Sequence, residues 1–361
     1  MAEVRLNILC LGASYGLLLG LKAAYAGHAV HFVCRPREAA LINAGAVSLE
    51  LPSKTNGETL CLTAEGAATT PIGIAPEHVE VSRYDLCILA MQEPQCSDPQ
   101  VHALLKLLGR HSVPIISILN MPLPPYIHRR LAIEPGALES VWHDAHGWEG
   151  IRHELFSAAS PDPQALCTLT NDHLSVRVTL ASNIKVAPFI DARAQEMLEV
   201  LARSLSRIRV DVDGSLHEVS VRLVAHSSPW IPLAKWPMLI TGNFRCVTSS
   251  NPVSIAEAVH IDEEISRGIY EKTQRLCLAV LPPTARDSNF LVPFDKYAQA
   301  ARALVTPSSL ARGLAAGACK VERVDRLLLA LAARQQFEFP ELRDVAALVD
   351  AKLSANVAAA Q

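Results

Sequence analysis

The spacing of apolar and polar positions changes along the chain, and each change predicts a different element. Leu6-Asn7-Ile8-Leu9-Cys10-Leu11 is a short apolar run that reads as a buried strand. Gly12-Ala13-Ser14-Tyr15-Gly16 turns it into an apolar helix that runs to Gly27-His28, and residues 29–33 form a second strand ending on Cys34-Arg35. Residues 38–43 predict a short helix, and Val47-Ser48-Leu49-Glu50-Leu51 a hairpin-like stretch. Residues 84–90 are continuously apolar after a turn residue, as a central parallel strand is, and end in the loop 91–95. An amphipathic helix over 98–109 and a strand over 113–119 follow. That strand delivers Asn120 to the same sheet edge, ahead of the stiff Met121-Pro122-Leu123-Pro124-Pro125.

The middle of the chain is less regular. Residues 175–180 alternate as a half-exposed strand does, and 192–206 are helical with Met197, Leu201 and Leu205 on one stripe. Residues 208–212 return as a strand that turns at Asp213-Gly214, and 217–224 alternate again. Beyond residue 226 the strand signals vanish. Helices are expected over 237–248, 254–281, 296–305, 308–334 and 341–354, with Pro229, Pro232 and Pro237 crowding the entry. The pattern predicts an α/β protein: an N-terminal Rossmann-like dinucleotide-binding domain over 1–225, then an all-helical domain over 226–361, with a cleft between them.

Composition narrows the function classes. Of 361 residues half are hydrophobic and 19% charged, enough apolar material for large cores. A formal charge of −3 with scattered basic residues gives no nucleic-acid footprint. No apolar run is long enough to span a bilayer. Residues 8–26 follow Arg5 and end Ala24-Tyr25-Ala26, imitating a secretory signal, but Glu3, the glycine turns and the strand that follows directly argue against that reading. Nine cysteines without a CxxC pair point to reduced thiols and a cytoplasmic setting. His143 and His146 lack a third ligand nearby, so no metal site is expected.

Strand, glycine turn, helix and strand in under thirty residues form the opening βαβ unit of a dinucleotide-binding sheet. The backbone N–H groups of Gly12, Ala13, Ser14 and Gly16 and the positive end of the helix would face a pyrophosphate. The match to GxGxxG is imperfect: Gly12 and Gly16 are four apart rather than five, and Ser14 takes the second glycine's place. Where an acidic residue would bind the ribose of NAD, this chain offers Arg35 and Arg37, which suit a 2′-phosphate and predict NADP(H).

Three stretches, "LGASYGLLLG…AGHAVHFVCR", "YDLCILAMQEPQ" and "PIISILN", together with the later "SSLARGLAAGACKVERVD", resemble the ketopantoate reductase family. The resemblance spans most of the chain and is strongest in its first 120 residues. It implies an NADP-binding α/β domain, a helical domain, and hydride transfer from NADPH to the carbonyl of a small 2-oxo acid; the number of subunits does not follow from it, and a homodimer is one open assembly. It also implies cofactor roles for Gly12, Gly16 and Arg35, a cofactor and substrate contact for Asn120, and a substrate contact for Ser309 (or Ser308). Glu322 falls on the family's late helical glutamate, although a salt-bridged face with Lys320, Arg323, Asp325 and Arg326 is the other reading. Gln92 replaces a family lysine in the cofactor loop.

The general acid is the largest departure. The family's lysine, two residues after a tryptophan, is here Met238, while Lys235 precedes Trp236. If the helix runs through Pro237, Lys235 and Asn243 share a face and Lys235 can serve as proton donor; if it begins at Pro237, the direction of Lys235 is open. Arg245 is a candidate clamp for a substrate carboxylate, or else a surface arginine. The missing lysines point away from ketopantoate, toward another 2-oxo acid or an imine as used by opine-type dehydrogenases. A nucleotide-binding sensor without turnover is the alternative from a different class.

Overall fold

The computed structural model describes residues 4–53, 58–134, 136–160, 164–285 and 288–361. The chain packs into two compact units, one of Met1–Met91, Gln95–Tyr126 and His146–Pro229, the other of Gln92–Pro94, Ile127–Ala145 and Trp230–Gln361. Against the expected division at 225/226, the chain leaves the first unit at 229/230, and two earlier segments belong to the second. Residues 127–145 have little periodicity, yet they bury Ile127, Leu131, Leu138, Val141 and Trp142. Such a segment carries no local mark of the core it joins.

Among its described residues the first unit holds fourteen strands: β1 Asn7–Leu11, β2 Ala29–Val33, β3 Val47–Pro52, β4 Thr59–Thr63, β5 Ile72–Ile74, β6 Leu86–Leu89, β7 Ile115–Ser117, β8 Phe156–Ser160, β9 Gln164–Leu169, β10 Leu174–Leu180, β11 Ile184–Val186, β12 Arg209–Val212, β13 Ser215–Glu218 and β14 Leu223–Ala225. Eight make one sheet in the order β14-β11-β8-β7-β6-β1-β2-β5. It is parallel from β5 to β8, and β11 runs antiparallel to β8. A second sheet has the order β4-β3-β10-β9.

Helix α1, Ser14–Tyr25, packs on β1 and β2 on one side and on the second sheet on the other. Its leucines 17, 18, 19 and 21 are therefore all buried. A helix apolar all round is stable only when covered all round, and each buried leucine contributes roughly 1.5–3 kcal/mol. Its one charge in that run, Lys22, is fully buried and donates from Nζ to the carbonyls of Ser220 (2.8 Å) and Val221. The remaining helices of this unit are α2 Pro36–Asn43, α3 Pro99–Arg110 and α5 Ala192–Ser206; α4, Pro124–Arg130, leads into 127–145.

Among the described residues from 230 onward there is no strand. The helices are α6 Trp236–Met238, which continues as a π-turn over Leu239–Phe244, then α7 Ile255–His260, α8 Glu263–Ala279, α9 Phe294–Ala301, α10 Ser309–Ala315, α11 Val324–Arg334 and α12 Pro340–Ala360. α8 buries Ile269, Tyr270, Thr273, Leu276 and Cys277, a helical stripe against α6 and the π-turn.

Two long helices expected from the sequence are each broken. The stretch 254–281 breaks after His260, where Asp262 caps α8 by accepting from Ile265 N at 2.9 Å. The stretch 308–334 breaks at Gly317, whose φ of +88° supports Ala318 N→Gly313 O at 2.9 Å, a glycine-dependent helix stop.

Candidate functional site

In the first unit the strand order reverses at β1. The chain moves from β1 outward through β2 to β5, then returns on the other side of β1 as β6 and continues to β7. Ligands of such sheets bind outside the carboxyl ends of the strands at this reversal. The register aligns Leu11 with Leu89 and Leu89 with Ser117, so Gly12, Ala90 and the 118–120 segment leave the sheet along one edge. Asn120 is half-buried there.

Gly12 is held by Gly12 N→Val33 O at 2.8 Å and has φ +102°. A Cβ at this position would lie 2.8 Å from Ala90 O and 3.0 Å from Ala90 C, so only glycine fits. α1 then begins at Ser14 with Ala13 as its N-cap, a residue whose side chain has no acceptor for the first-turn amides. Ser14 is half-buried. Gly16 is less constrained, since an added methyl would stay at least 3.5 Å from its neighbours, whereas one on Gly20 would run into Phe32 Cζ. The close helix–strand approach is thus made at Gly20, four residues beyond the glycine that the motif singles out.

Arg35 follows β2 with its side chain 73% exposed, and it is not alone. Glu38 accepts from Arg35 N at 3.0 Å and from Nε at 3.1 Å, and pairs with the terminal guanidinium nitrogen as well. That pairing raises the Arg35 pKa and offsets part of the positive charge at the strand end. Arg37 turns to Thr170 O and Asn171 Oδ1, at 2.8 and 2.7 Å. The spacing of Arg35 and Glu38, three apart at a helix start, was the available signal for this pair.

In the second unit, Lys235 ends a 3₁₀ turn, Ile231–Lys235, and is the N-cap of α6 with helical φ −82° and ψ −24°. The helical path therefore passes through Pro237, which occupies the first turn as its missing N–H allows. From 235 to 244 every residue is buried except Lys235, Met238 and Asn243. Lys235 and Met238 are one turn apart. The π-turn closes i→i+5 bonds, so Asn243, five beyond Met238, keeps the same face. The buried Gly242 permits this packing, because a Cβ there would run into Tyr297 Oη.

Ser308, not the exposed Ser309, touches this segment: its buried hydroxyl donates to Asn243 O at 2.7 Å and caps α10. Arg245 donates to Ser266 Oγ at 2.6 Å and to Thr241 O at 3.4 Å; burial lowers its pKa, with Asp262 opposing. Glu322 is buried in the loop before α11, and its Oε1 accepts from Glu93 N at 3.3 Å. It is therefore not part of a solvated helix face.

Glu93 itself was missed by sequence reasoning. It is buried, and its two oxygens accept from His143 N and meet His143 Nδ1, both at 2.7 Å. Residues fifty apart in sequence give no spacing signal for such a pair. Gln92, next to it, is exposed. His146 pairs with Glu149 instead, and among the described residues no cluster of His, Cys, Asp and Glu could hold a metal. Nor is any described helix long and apolar enough to cross a membrane.

No family model matches the chain, and no curated protein matches it by sequence. Solved structures do. A ketopantoate reductase from Ralstonia eutropha JMP134 matches with TM-score 0.63 at 16% identity, over 97% of this chain and 99% of that one. D-Mandelate dehydrogenase, solved with NADH and anilino(oxo)acetate, matches with TM-score 0.61 at 13% identity, over 97% and 99%. The dimeric ketopantoate reductase of Staphylococcus aureus matches with TM-score 0.56 at 11% identity, over 97% and 100%. The chain has the ketopantoate reductase fold, an α/β part with a parallel sheet and a helical C-terminal region, on a highly divergent sequence.

Proposed function

We propose that the protein is a nicotinamide-nucleotide-dependent reductase of a small 2-oxo acid. The observation that carries this is the turn at Gly12. A residue that only glycine can occupy sets an uncapped helix start against the strand reversal of a parallel sheet. Ala13, Ser14 and Gly16 would hold the diphosphate through backbone amides and the Ser14 hydroxyl, Gly12, whose own amide is spent on Val33 O, would set the turn beneath it, and Asn120 would lie beside the nicotinamide end. Arg35 favours NADP(H) over NAD(H), its charge tempered by Glu38. Gln92 supplies a neutral contact at the cofactor loop.

The bound nucleotide would supply the hydride, and the chain's own residues the positioning and the proton. On the half-buried face of α6 and the π-turn, Lys235 is assigned as proton donor to the nascent alkoxide, because methionine at 238 has no proton to give. Asn243 orients the substrate and is itself fixed by Ser308 on its carbonyl. Glu322 accepts a substrate hydroxyl, Ser309 and Arg245 are the outer substrate contacts, and the dimer of the Staphylococcus aureus protein makes a homodimer the proposed assembly.

Met238 specifically favours one second reading, a nucleotide-binding protein without turnover. Calorimetry with NADPH and NADH, followed by NADPH oxidation over a panel of 2-oxo acids, tests both. Uptake with turnover supports the reductase and uptake without turnover the sensor. No uptake of either nucleotide by folded protein overturns both.

A further inference from the structure

We propose that the second unit contains a binding site for a small organic carboxylate with an apolar body. It is a cavity of ≈ 610 Å³ formed by α11, α12 and the segment 140–143, within the usual range of about 300–1,000 Å³ for small-molecule sites. Trp142 and Leu329 give it an apolar wall; His143, Arg323, Arg326 and Asp350 give it a polar one.

The polar wall is built, and its surplus is in donors. Arg323 is clamped between two acids: Nε and Nη2 reach Asp325 at 3.0 and 2.7 Å, and Nη1 reaches Asp350 at 2.7 Å. Arg326 pairs with the same Asp350 through one terminal nitrogen while 49% of its side chain stays exposed. A guanidinium has five N–H donors, so this pairing leaves donors on Arg326 for an incoming acceptor. His143 is fixed by the buried Glu93, which takes both its backbone N–H and Nδ1. Beside a carboxylate Nδ1 is the donor, which leaves Nε2 for a ligand. Spare Arg326 donors beside the paired Asp350 on one wall, and apolar surface on the other, fit a singly charged carboxylate joined to a hydrocarbon or aromatic group better than doubly charged inorganic phosphate.

The test is calorimetry on the full chain without any nucleotide, using 3-phenylpropanoate, phenylpyruvate and, as uncharged control, 3-phenylpropan-1-ol. Both acids are expected to bind with dissociation constants of about a millimolar or tighter, and the alcohol at least about tenfold more weakly. Arg326→Met and His143→Phe should each weaken the acids about tenfold. Ala330→Trp, which fills the cavity without removing a charge, should abolish binding. Should a variant fail to fold, the imidazole resonances of His143 in the wild type must still shift on adding either acid.

No heat and no His143 shift with the acids, or binding unchanged by Ala330→Trp, overturns the site. With NADPH present, turnover of phenylpyruvate lost together with binding in Ala330→Trp identifies the bound acid as substrate. Turnover that survives identifies it as an effector, and both support the site. Because binding is read without nucleotide, failure here leaves the reductase reading standing, and failure of nucleotide uptake leaves this site standing.

Discussion

Gly12→Ala should both destabilise the first unit and remove nucleotide binding. The new methyl would sit 2.8 Å from Ala90 O, a backbone atom of the neighbouring strand end, at a residue whose φ is +102°. A non-glycine residue in such a conformation costs about 1–3 kcal/mol, and forcing extra volume into a packed site costs about the same again. Together these lower the melting temperature by on the order of 5–20 °C at ~2–4 °C per kcal/mol. Relief requires the turn to move off Ala90 and Met91, carrying the first-turn amides of α1 with it, so nucleotide affinity should fall at least about tenfold through lost charge-assisted hydrogen bonds. Two neighbours act as controls in the same melting and calorimetry series. Gly16→Ala meets nothing closer than 3.5 Å and replaces a glycine in the first turn of α1 with a better helix former, so stability should hold or rise. Gly20→Ala drives into the buried Phe32 ring, costing about 1–3 kcal/mol, while nucleotide binding persists below its lower melting point. A Gly12→Ala protein that melts and binds like the wild type would refute the reasoning.

On the proposed reading, cofactor preference would rest on the Arg35–Glu38 pair. Arg35→Ala should reduce the preference for NADPH over NADH by about ten- to a hundredfold. Glu38→Gln, which keeps the capping geometry but removes the opposing charge, should raise that preference about two- to fivefold; equal affinities in the wild type contradict the assignment. Lys235→Met should lower turnover on the order of 10²–10⁴ with little change in nucleotide affinity, and a loss under about threefold ends the role of Lys235 as acid. His31, bonded through Nδ1 to Tyr84 Oη at 2.7 Å, has its pKa held below 6.5 chiefly by burial and then by Arg83. The unfolded chain therefore takes up the proton more readily, and the stability His31 contributes is present above pH 6.5 and lost as pH falls below it. Denaturant titrations of His31→Phe should show a shallower decline on that acid side, and an unchanged slope would remove His31 from the account.

What was legible in the sequence is what local chemistry decides. The β1–α1–β2 unit could be read because a short, mostly apolar run, a glycine-bearing turn and an apolar helix follow one another without interruption. α5 was legible from residue 192 to 206 because its apolar stripe is regular, and in the structure Asp191 caps it by accepting from Ala194 N at 2.9 Å. β8 was not legible: Phe-Ser-Ala-Ala-Ser is fully buried, but its small side chains carry no period.

The same division runs through the site. Gly12 betrays itself because only glycine solves a problem posed by its own backbone. The common face of Lys235 and Asn243 depends on a π-turn, a one-residue slip of phase that the apolar pattern around Leu239, Ile240 and Phe244 absorbs. Glu93, His143 and Glu322 meet only after residues 92–94 join the second unit. A carboxylate gains its role from the partner that orients it, and that partner is fixed by chain path rather than by spacing. For this chain, then, the sequence speaks most directly about the nucleotide half of the proposed reaction, and the proposed substrate half depends on contacts between residues far apart along it.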